Sequence, residues 1–275
     1  MTNFFDTDGG RLAVEIEGEG PLVICSPAMS DTRDAYGPLA EFLVARGYRV
    51  ARIDLRGHGD STTNFNRYGD EAIAEDFLTV IEALGGGPAV LAGASLSAAA
   101  AVMAAARRPD QVAGLVLLAP FLRNGISELM RGIFRFMLLR PWGPPFWRGQ
   151  SAKLWPGLGD KASERAAIKT ASLMRPGHWA AFQATVAGAD HRVAAPSIGR
   201  VKAPVLVVIG DVDPDWKDPL GEAKWVASNF KDVDTLTVTG AGHAPMLERP
   251  EIVGPAVSKF LEKIRVNGAF KPSNS

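Results

Sequence analysis

The feature that most constrains the fold of this chain is a short apolar run that passes into a helix-forming run with a serine between them. Residues 88–94 read Pro-Ala-Val-Leu-Ala-Gly-Ala, Ser95 follows, and a run of alanines begins at Ala98. An apolar run of strand length followed at once by strong helix formers predicts a strand, a sharp turn and a helix. Ser95 is therefore expected at the tip of the turn.

The remainder of the chain alternates between strand-like and helix-like segments. Strands are predicted at Arg11–Glu17, Leu22–Ser26, Arg49–Asp54, Ala89–Ala94, Val112–Ala119, Val205–Ile209 and Thr235–Val238. Helices are predicted from Gly37 to about Arg46 and at Asp70–Leu84, Leu96–Arg107, Leu220–Phe230 and Glu251–Arg265. Alternation of this length predicts a mostly parallel central sheet with helices on both faces.

Residues 121–200 interrupt the alternation with helix-like runs only, and they hold four of the six tryptophans. This segment leaves the sheet at the end of one strand and returns to it before the next. We therefore expect it to form a helical cap over the carboxyl edge of the sheet. The core then comprises residues 1–120 and 201–266, and residues 267–275 are expected to form a disordered tail. Arg131, Arg135 and Arg140 on the first cap helix are interpreted as its solvated face.

Two further segments supply the partners that a serine nucleophile needs. Asp213 and His243 each follow an apolar strand-like run, and they come after Ser95 in the chain. A serine hydroxyl becomes a nucleophile when a histidine removes its proton and an acid orients that histidine. Taken singly, each residue also has a structural interpretation, Ser95 as a helix N-cap, Asp213 as a turn residue and His243 as a loop histidine. Asp215 is the second candidate for the acid.

The string Asp-Leu-Arg-Gly-His-Gly-Asp-Ser at residues 54–61 adds a more specific signature. With the segments at residues 93–97, 210–213 and 240–243, it makes the chain resemble the α/β-hydrolase superfamily, in its lid-containing esterase, lipase and epoxide-hydrolase-like branch. The resemblance implies the α/β-hydrolase fold with a helical cap inserted over the carboxyl edge. It also implies Ser95, Asp213 and His243 as catalytic residues, with Ser95 at a nucleophile elbow.

The same resemblance implies an oxyanion hole formed by two backbone N–H groups, which by position belong to Ala28 and Leu96. Pro27 has no N–H group and is excluded as a donor. A cap over the nucleophile encloses an apolar pocket, for which we name Met29, Trp142, Trp147 and Trp179.

The other reactive side chains receive structural interpretations. His58 lies in a tight glycine turn ahead of the nucleophile in the chain. His178 and His191 are interpreted as ordinary helix or loop histidines, with His178 a weaker candidate for the pocket. Cys25 is the single cysteine, so no internal disulfide can form. Its place in an apolar strand predicts a buried packing residue.

The favoured function is a serine hydrolase that cleaves a small to medium apolar carboxylic ester, thioester or lactone through an acyl-enzyme on Ser95. One alternative keeps the triad but performs carbon–carbon bond hydrolysis or cofactor-free perhydrolysis, as a haloperoxidase-like enzyme would. The other is a non-enzymatic ligand receptor or regulator on a hydrolase scaffold. No metal or organic cofactor is expected for the chemistry of the triad.

Charge and hydropathy limit the partners. The formal net charge is +0, which provides no overall electrostatic attraction to nucleic acid or to an anionic membrane. The sequence shows no membrane-spanning run and no secretion signal at its beginning, so a cytoplasmic location is expected. The expected partner is a small apolar acyl substrate, and the oligomeric state is left open.

Overall fold

A computed structural model describes residues 2–270 and shows one eight-stranded sheet. The strands are β1 (Thr2–Thr7), β2 (Gly10–Glu17), β3 (Leu22–Ser26), β4 (Arg49–Ile53), β5 (Ala89–Ala94), β6 (Val112–Leu118), β7 (Val205–Gly210) and β8 (Val233–Val238). Their order in the sheet is β1-β2-β4-β3-β5-β6-β7-β8. The pairs β1–β2 and β2–β4 are antiparallel and the other five pairs are parallel. The predicted mostly parallel sheet is confirmed.

Helices cover both faces of this sheet. They are α1 (Gly37–Val44), α2 (Asp70–Ala83), α3 (Leu96–Arg107), α4 (Glu128–Met137), α5 (Gly143–Ser151), α6 (Lys161–Leu173), α7 (His178–Gly188), α8 (Ala195–Ile198), α9 (Pro219–Ala227), α10 (Pro245–Glu248) and α11 (Pro250–Val266). Helices α2, α3 and α9 pack on one face, where Ile24 and Leu91 point. Helices α1 and α11 pack on the other face, where Val23 and Val90 point. The central strands are buried on both sides, which is why they read as continuous apolar runs.

Strand β1 is absent from the sequence prediction. It is an edge strand whose residues, Thr-Asn-Phe-Phe-Asp-Thr, are partly exposed, so they carry no buried apolar run. The available signal was Asp8-Gly9, which has positive φ at both residues and joins β1 to β2 as a two-residue hairpin.

Helices α4 to α8 all lie in the segment between β6 and β7, and no strand occurs in that segment. We refer to residues 119–204 as the inserted segment. Its α6 is tied to the loop after β3 by ion pairs, because Arg165 and Lys169 each pair with both Asp31 and Asp34. A small apolar cluster of its own, built around Trp147 and Phe182, holds its helices together.

The chain beyond α11 is described as far as Phe270. Within the predicted tail, Ala269 and Phe270 pack against the core. The rest of the predicted tail, residues 271–275, lies outside the described residues. No helix within residues 2–270 combines the length and the apolar character needed to cross a bilayer.

The Asp54–Ser61 string forms a rigid turn rather than a reactive site. The Asp54 carboxylate accepts hydrogen bonds from the backbone N–H groups of Arg33 and Asp60, and it pairs with the Arg33 guanidinium. The Ser61 hydroxyl donates to the Asp54 carbonyl at 2.8 Å and accepts from the N–H of Ala13. These contacts fix the end of β4 beside β2.

Gly59 is required in this turn for both conformation and space. Its φ is +52°, and a Cβ at Gly59 would lie 2.1 Å from the Asp54 carboxylate carbon. Positive φ costs an L-residue about 1–2 kcal/mol. Overpacking against a buried, hydrogen-bonded carboxylate adds about 1–3 kcal/mol.

We expect Gly59→Ala to lower the free energy of unfolding by about 2–5 kcal/mol, measured by urea denaturation. Gly47→Ala is the matched control because Gly47 also has positive φ, +78°, but nothing within 4 Å of the added Cβ. The control should lose only the conformational part, about 1–2 kcal/mol. Equal losses in both variants would contradict the crowding at Asp54.

Candidate active site

Ser95 lies at a strained turn between β5 and α3. Its φ is +57° and its ψ is −121°, and its side chain makes no capping hydrogen bond to the helix. Ser95 thus occupies the N-cap position of α3, but its hydroxyl does not cap the helix. The turn is held by hydrogen bonds from the Ser95 N–H to the Leu118 carbonyl, at 2.9 Å, and from the Ala98 N–H to the Ser95 carbonyl, at 3.0 Å. A non-glycine residue in such a conformation is costly, and surrounding contacts must impose it.

The small residues on either side of Ser95 explain how the turn is imposed. A Cβ at Gly93 would lie 2.2 Å from the backbone oxygen of Ser97, so only glycine allows β5 and α3 to approach this closely. The Ser97 hydroxyl donates to the Pro27 carbonyl at 2.7 Å and lies 3.0 Å from the Ser26 hydroxyl. Serine at this position thus connects the turn to the loop after β3.

That loop and the start of α3 carry the two predicted oxyanion donors. Ala28 lines the same cavity as Ser95 and comes directly after Pro27, whose carbonyl accepts the hydrogen bond from Ser97. Leu96 is the first residue of α3. Its N–H group is therefore one of those in the first helical turn that have no acceptor within the helix. Their assignment as oxyanion donors stays a prediction.

His243 lies in the loop after β8 and contacts two carboxylates. Its Nδ1 is 2.9 Å from an Asp213 oxygen and 3.3 Å from an Asp215 oxygen. Asp213 is buried, whereas Asp215 is partly exposed and lines the cavity. The structure therefore brings both candidate acids to the same imidazole nitrogen, with the shorter contact from Asp213.

These carboxylates determine the protonation of the histidine. Burial by itself lowers the pKa of His243, but the negative charges of Asp213 and Asp215 outweigh it and raise the pKa to about 9. The imidazolium is thus favoured over the neutral ring at neutral pH. His243, Asp213 and Asp215 are also the one trio of potential metal ligands found among residues 2–270, with ligand atoms within 4.8 Å of one another.

Glu248 is a site residue that the sequence analysis missed. Its buried carboxylate accepts hydrogen bonds from three backbone N–H groups, those of Gly157, Gly242 and Ala244. The N–H of His243 donates to the Leu154 carbonyl at 2.8 Å. The loop that carries His243 is thereby fastened to residues 154–157 of the inserted segment. The only sequence signal was an acidic residue five positions after the histidine, which is too common to be informative.

Ser95 and His243 open into a cavity of about 480 Å³ that lies between the sheet and the inserted segment. Met29 and Trp147, both predicted for the pocket, line this cavity. The other main apolar lining residues are Phe121, Phe134, Phe146, Leu154, Trp155, Val186 and Met246. The Phe121 and His243 rings form a T-shaped contact, with ring centres 5.7 Å apart and planes at 73°.

Two predicted pocket residues are placed elsewhere, and the pocket prediction is corrected for them. Trp142 is 41% exposed and donates its indole N–H to the Phe136 carbonyl on the outside of the inserted segment. Trp179 is buried inside that segment, where its N–H donates to the Leu138 carbonyl. Helix packing within the segment turns both indoles away from the cavity.

The arginines of α4 also require a correction. Arg131 and Arg135 line the cavity, together with Lys153, rather than forming only a solvated face. Arg131 is largely enclosed and pairs with Glu128, and it donates to the Ala189 carbonyl at the cavity wall. Arg140 remains exposed, as predicted.

The remaining histidines and the cysteine mainly make packing and hydrogen-bond contacts that support the fold. His58 is buried with its Nδ1 2.9 Å from the Arg56 carbonyl, and burial lowers its pKa to about 4. His178 contacts the Gly57 carbonyl outside the cavity lining, whereas His191 lines the cavity and is held by Asp70 at 2.7 Å. Cys25 is buried, and burial raises the pKa of its thiol to about 12.

Comparison with known proteins agrees with the fold. A model of the alpha/beta hydrolase family matches residues 23–256, so the chain belongs to this family. It is similar to a thermophilic esterase from Thermogutta terrifontis, with a TM-score of 0.83 and 24% identity over 96% of this chain and 99% of that chain. That likeness supports the fold.

Two curated relatives are similar over nearly their whole length. The pimeloyl-acyl-carrier-protein methyl ester esterase of Chromobacterium violaceum is 27% identical over 273 residues, covering 92% of this chain and 98% of the relative. The 2-(acetamidomethylene)succinate hydrolase of Mesorhizobium japonicum is 26% identical over 273 residues, covering 93% of this chain and 94% of the relative. Both names describe hydrolases.

We expect the pKa of His243, followed by NMR of its imidazole nitrogens, to be about 9 in the wild-type chain. Asp215→Asn should lower this pKa by roughly 1 because removal of a nearby negative charge destabilises the imidazolium. Asp110→Asn, which removes an exposed carboxylate just beyond α3, should leave it unchanged. An unaltered pKa in Asp215→Asn would show that the second carboxylate does not act on the ring.

Proposed function

We propose that this protein is a serine hydrolase that cleaves carboxylic esters of small to medium apolar acids through an acyl-enzyme on Ser95. The observation that carries the proposal is the placement of Ser95 on a strained turn in the same cavity as His243, whose Nδ1 is held by Asp213. The name of the esterase relative supports an ester as the substrate.

In the proposed reaction the Ser95 oxygen attacks the acyl carbonyl while His243 accepts the hydroxyl proton. Asp213 keeps the imidazole in the required tautomer and stabilises the imidazolium that forms. The proton then passes to the alkoxy oxygen, the alcohol leaves, and Ser95 carries the acyl group. A water molecule that gives its proton to His243 attacks this ester and releases the acid.

The carbonyl oxygen becomes negatively charged in each step and needs donors fixed in advance. We assign this role to the N–H groups of Ala28 and Leu96, each worth about 3 kcal/mol of barrier by analogy with known oxyanion donors. Ser97 supports the assignment because its hydrogen bond to the Pro27 carbonyl positions the residue just before Ala28. Ser97 is thus proposed as a positioning residue.

The cavity supports an apolar acyl chain of moderate size. Its volume of about 480 Å³ is within the range of small-molecule sites, and aromatic and aliphatic side chains form most of its wall. The inserted segment is proposed to act as a cap, because its α4 and α5 supply Phe134, Phe146 and Trp147 to that wall. Enclosure of this kind excludes bulk water from the acyl-enzyme.

Ser95→Ala should abolish multiple turnover on p-nitrophenyl esters of short and medium chain length, because it removes the nucleophile. The wild-type chain is expected to release many equivalents of product and to be labelled on Ser95 by a fluorophosphonate. Product that stalls near one equivalent, with ligand-induced stabilisation, would instead indicate a receptor. Thermal unfolding of the variant provides the control for its fold.

Asp213→Asn should reduce kcat about 10³- to 10⁴-fold because the amide no longer fixes the imidazole tautomer. Asp215→Asn should change kcat less than about 10-fold, since Asp213 makes the shorter contact. In the wild-type chain, kcat/KM should rise with pH towards about 9, as neutral His243 accumulates. A larger loss in Asp215→Asn would assign the acid to Asp215.

The pH profile of Asp215→Asn provides a further check on this assignment. Loss of the second carboxylate lowers the pKa of His243, so the rise of kcat/KM should move to lower pH. If the pH profile of kcat/KM and the value of kcat were both identical to wild type, Asp215 would have no role in the reaction.

A further inference from the structure

The outer side of α4 exposes an unusual number of large apolar side chains. Leu129 is 74% exposed and Phe136 is 58% exposed, and with Ile133 they follow the i, i+4, i+7 spacing of one helix face. The exposed apolar residues of this region are Ile126, Leu129, Met130, Ile133, Phe136, Leu139 and Trp142. We call this set the α4 patch.

The opposite side of α4 already has its packing partners. Phe134 contacts Phe146 and Trp147, with ring centres 6.3 Å and 5.9 Å apart. The cavity-lining residues Arg131 and Arg135 lie on this inward half of the helix. Apart from Ile126, which also lines the cavity, the α4 patch is exposed on the side of α4 away from these contacts.

The segment around the patch is strongly basic although the whole chain is neutral. Residues 121–153 contain six basic residues and one acidic residue, whereas the formal net charge of the protein is +0. The exposed cations are Arg123, Arg135, Arg140, Arg148 and Lys153. Arg123 pairs with Glu222, but among the described residues none of the other four forms an ion pair with a carboxylate. Of these four, Arg140 and Arg148 lie outside the cavity lining, whereas Arg135 and Lys153 also line the cavity.

We propose that the α4 patch docks the protein on the surface of an anionic lipid membrane, with α4 parallel to that surface. An amphipathic helix with aromatic and aliphatic residues on one face and arginines beside them is the usual form of an interfacial helix. The apolar side chains enter the boundary between headgroups and acyl chains, and the surrounding arginines contact lipid phosphates. Each basic residue near such a surface strengthens binding.

The basic surroundings favour a membrane over a second copy of this chain. A two-fold dimer through the patch would place the same arginines of both copies close together, and like charges oppose such a contact. A soluble acidic partner would satisfy the arginines, but it would not by itself bury seven large apolar side chains. An anionic lipid surface offers both the negative charge and the apolar interior.

The position of the patch relative to the cavity gives docking a consequence. The same α4 that carries the patch also supplies Arg131, Phe134 and Arg135 to the cavity wall, and Ile126 belongs to both the patch and that wall. Docking therefore places the wall of the cavity at the membrane surface, where apolar molecules dissolve. This inference concerns binding alone and does not depend on the chemistry of Ser95.

The test is co-sedimentation of the full chain with vesicles, in the Ser95→Ala background so that no turnover occurs. Vesicles of phosphatidylcholine alone are compared with vesicles that also contain phosphatidylglycerol. We expect binding to the anionic vesicles and weaker binding when salt is raised. The variant Leu129→Gln/Phe136→Gln should reduce the partition coefficient about 10-fold or more.

A second variant tests the charges, and matched controls test the location. Arg140→Gln/Arg148→Gln should reduce binding to anionic vesicles about 10- to 30-fold, as expected for two basic residues at the surface. Val266→Gln, which alters a 77% exposed apolar residue at the end of α11, should bind as wild type. Arg107→Gln/Arg108→Gln, at the end of α3, should also bind as wild type.

Three outcomes would overturn the proposal. The first is no binding of the parent protein to anionic vesicles. The second is loss of binding in the arginine variant but not in the Leu129→Gln/Phe136→Gln variant, which would indicate a purely electrostatic contact. The third is a dimer in analytical ultracentrifugation that Leu129→Gln/Phe136→Gln dissociates, which would assign the patch to a second copy of the chain. Because Ser95 is absent from all of these variants, none of these results bears on the proposed hydrolysis.

Discussion

The close contact of two backbones at the end of β5 is the constraint on which the rest of this structure depends. Gly93 and the carbonyl of Ser97 are so near that no side chain fits between them, and this contact forces the positive φ of Ser95. The strain is balanced by hydrogen bonds to neighbouring strands and by the packing of α3. Every other part of the candidate site is arranged around the hydroxyl that this turn presents.

Local patterns predict those parts of the structure that are determined locally. The run from Pro88 to the alanines of α3 predicts the strand, the turn and the helix, and strand-like segments, some apolar and some alternating, predict β2 to β8. The edge strand β1 has no buried run and is missed for that reason. The same distinction applies to the candidate site. Asp213 and His243 each follow the end of a strand, so their proximity could be predicted. Glu248 accepts hydrogen bonds from backbone N–H groups, and no sequence pattern predicts such bonds.

The sequence does not predict which side of a cap helix faces the cavity. Trp142, Trp147 and Trp179 look alike in the sequence, yet only Trp147 reaches the cavity, because contacts between α4, α5 and α7 decide which indole points inward. Charge, by contrast, can be read from the sequence, but only by counting segment by segment. A net charge of +0 conceals a basic stretch at residues 121–153 because acidic residues elsewhere compensate for it.

The inserted segment has one part that is hydrogen-bonded to the His243 loop and one part that is not. Leu154 and Gly157 are bonded to the loop and to Glu248, so the backbone there cannot shift without displacing the imidazole. Helices α4 and α5 precede this anchor and carry no such bond to the His243 loop within the described residues. If a large ligand displaced α4 and α5, these hydrogen bonds would still hold His243 beside its two carboxylates.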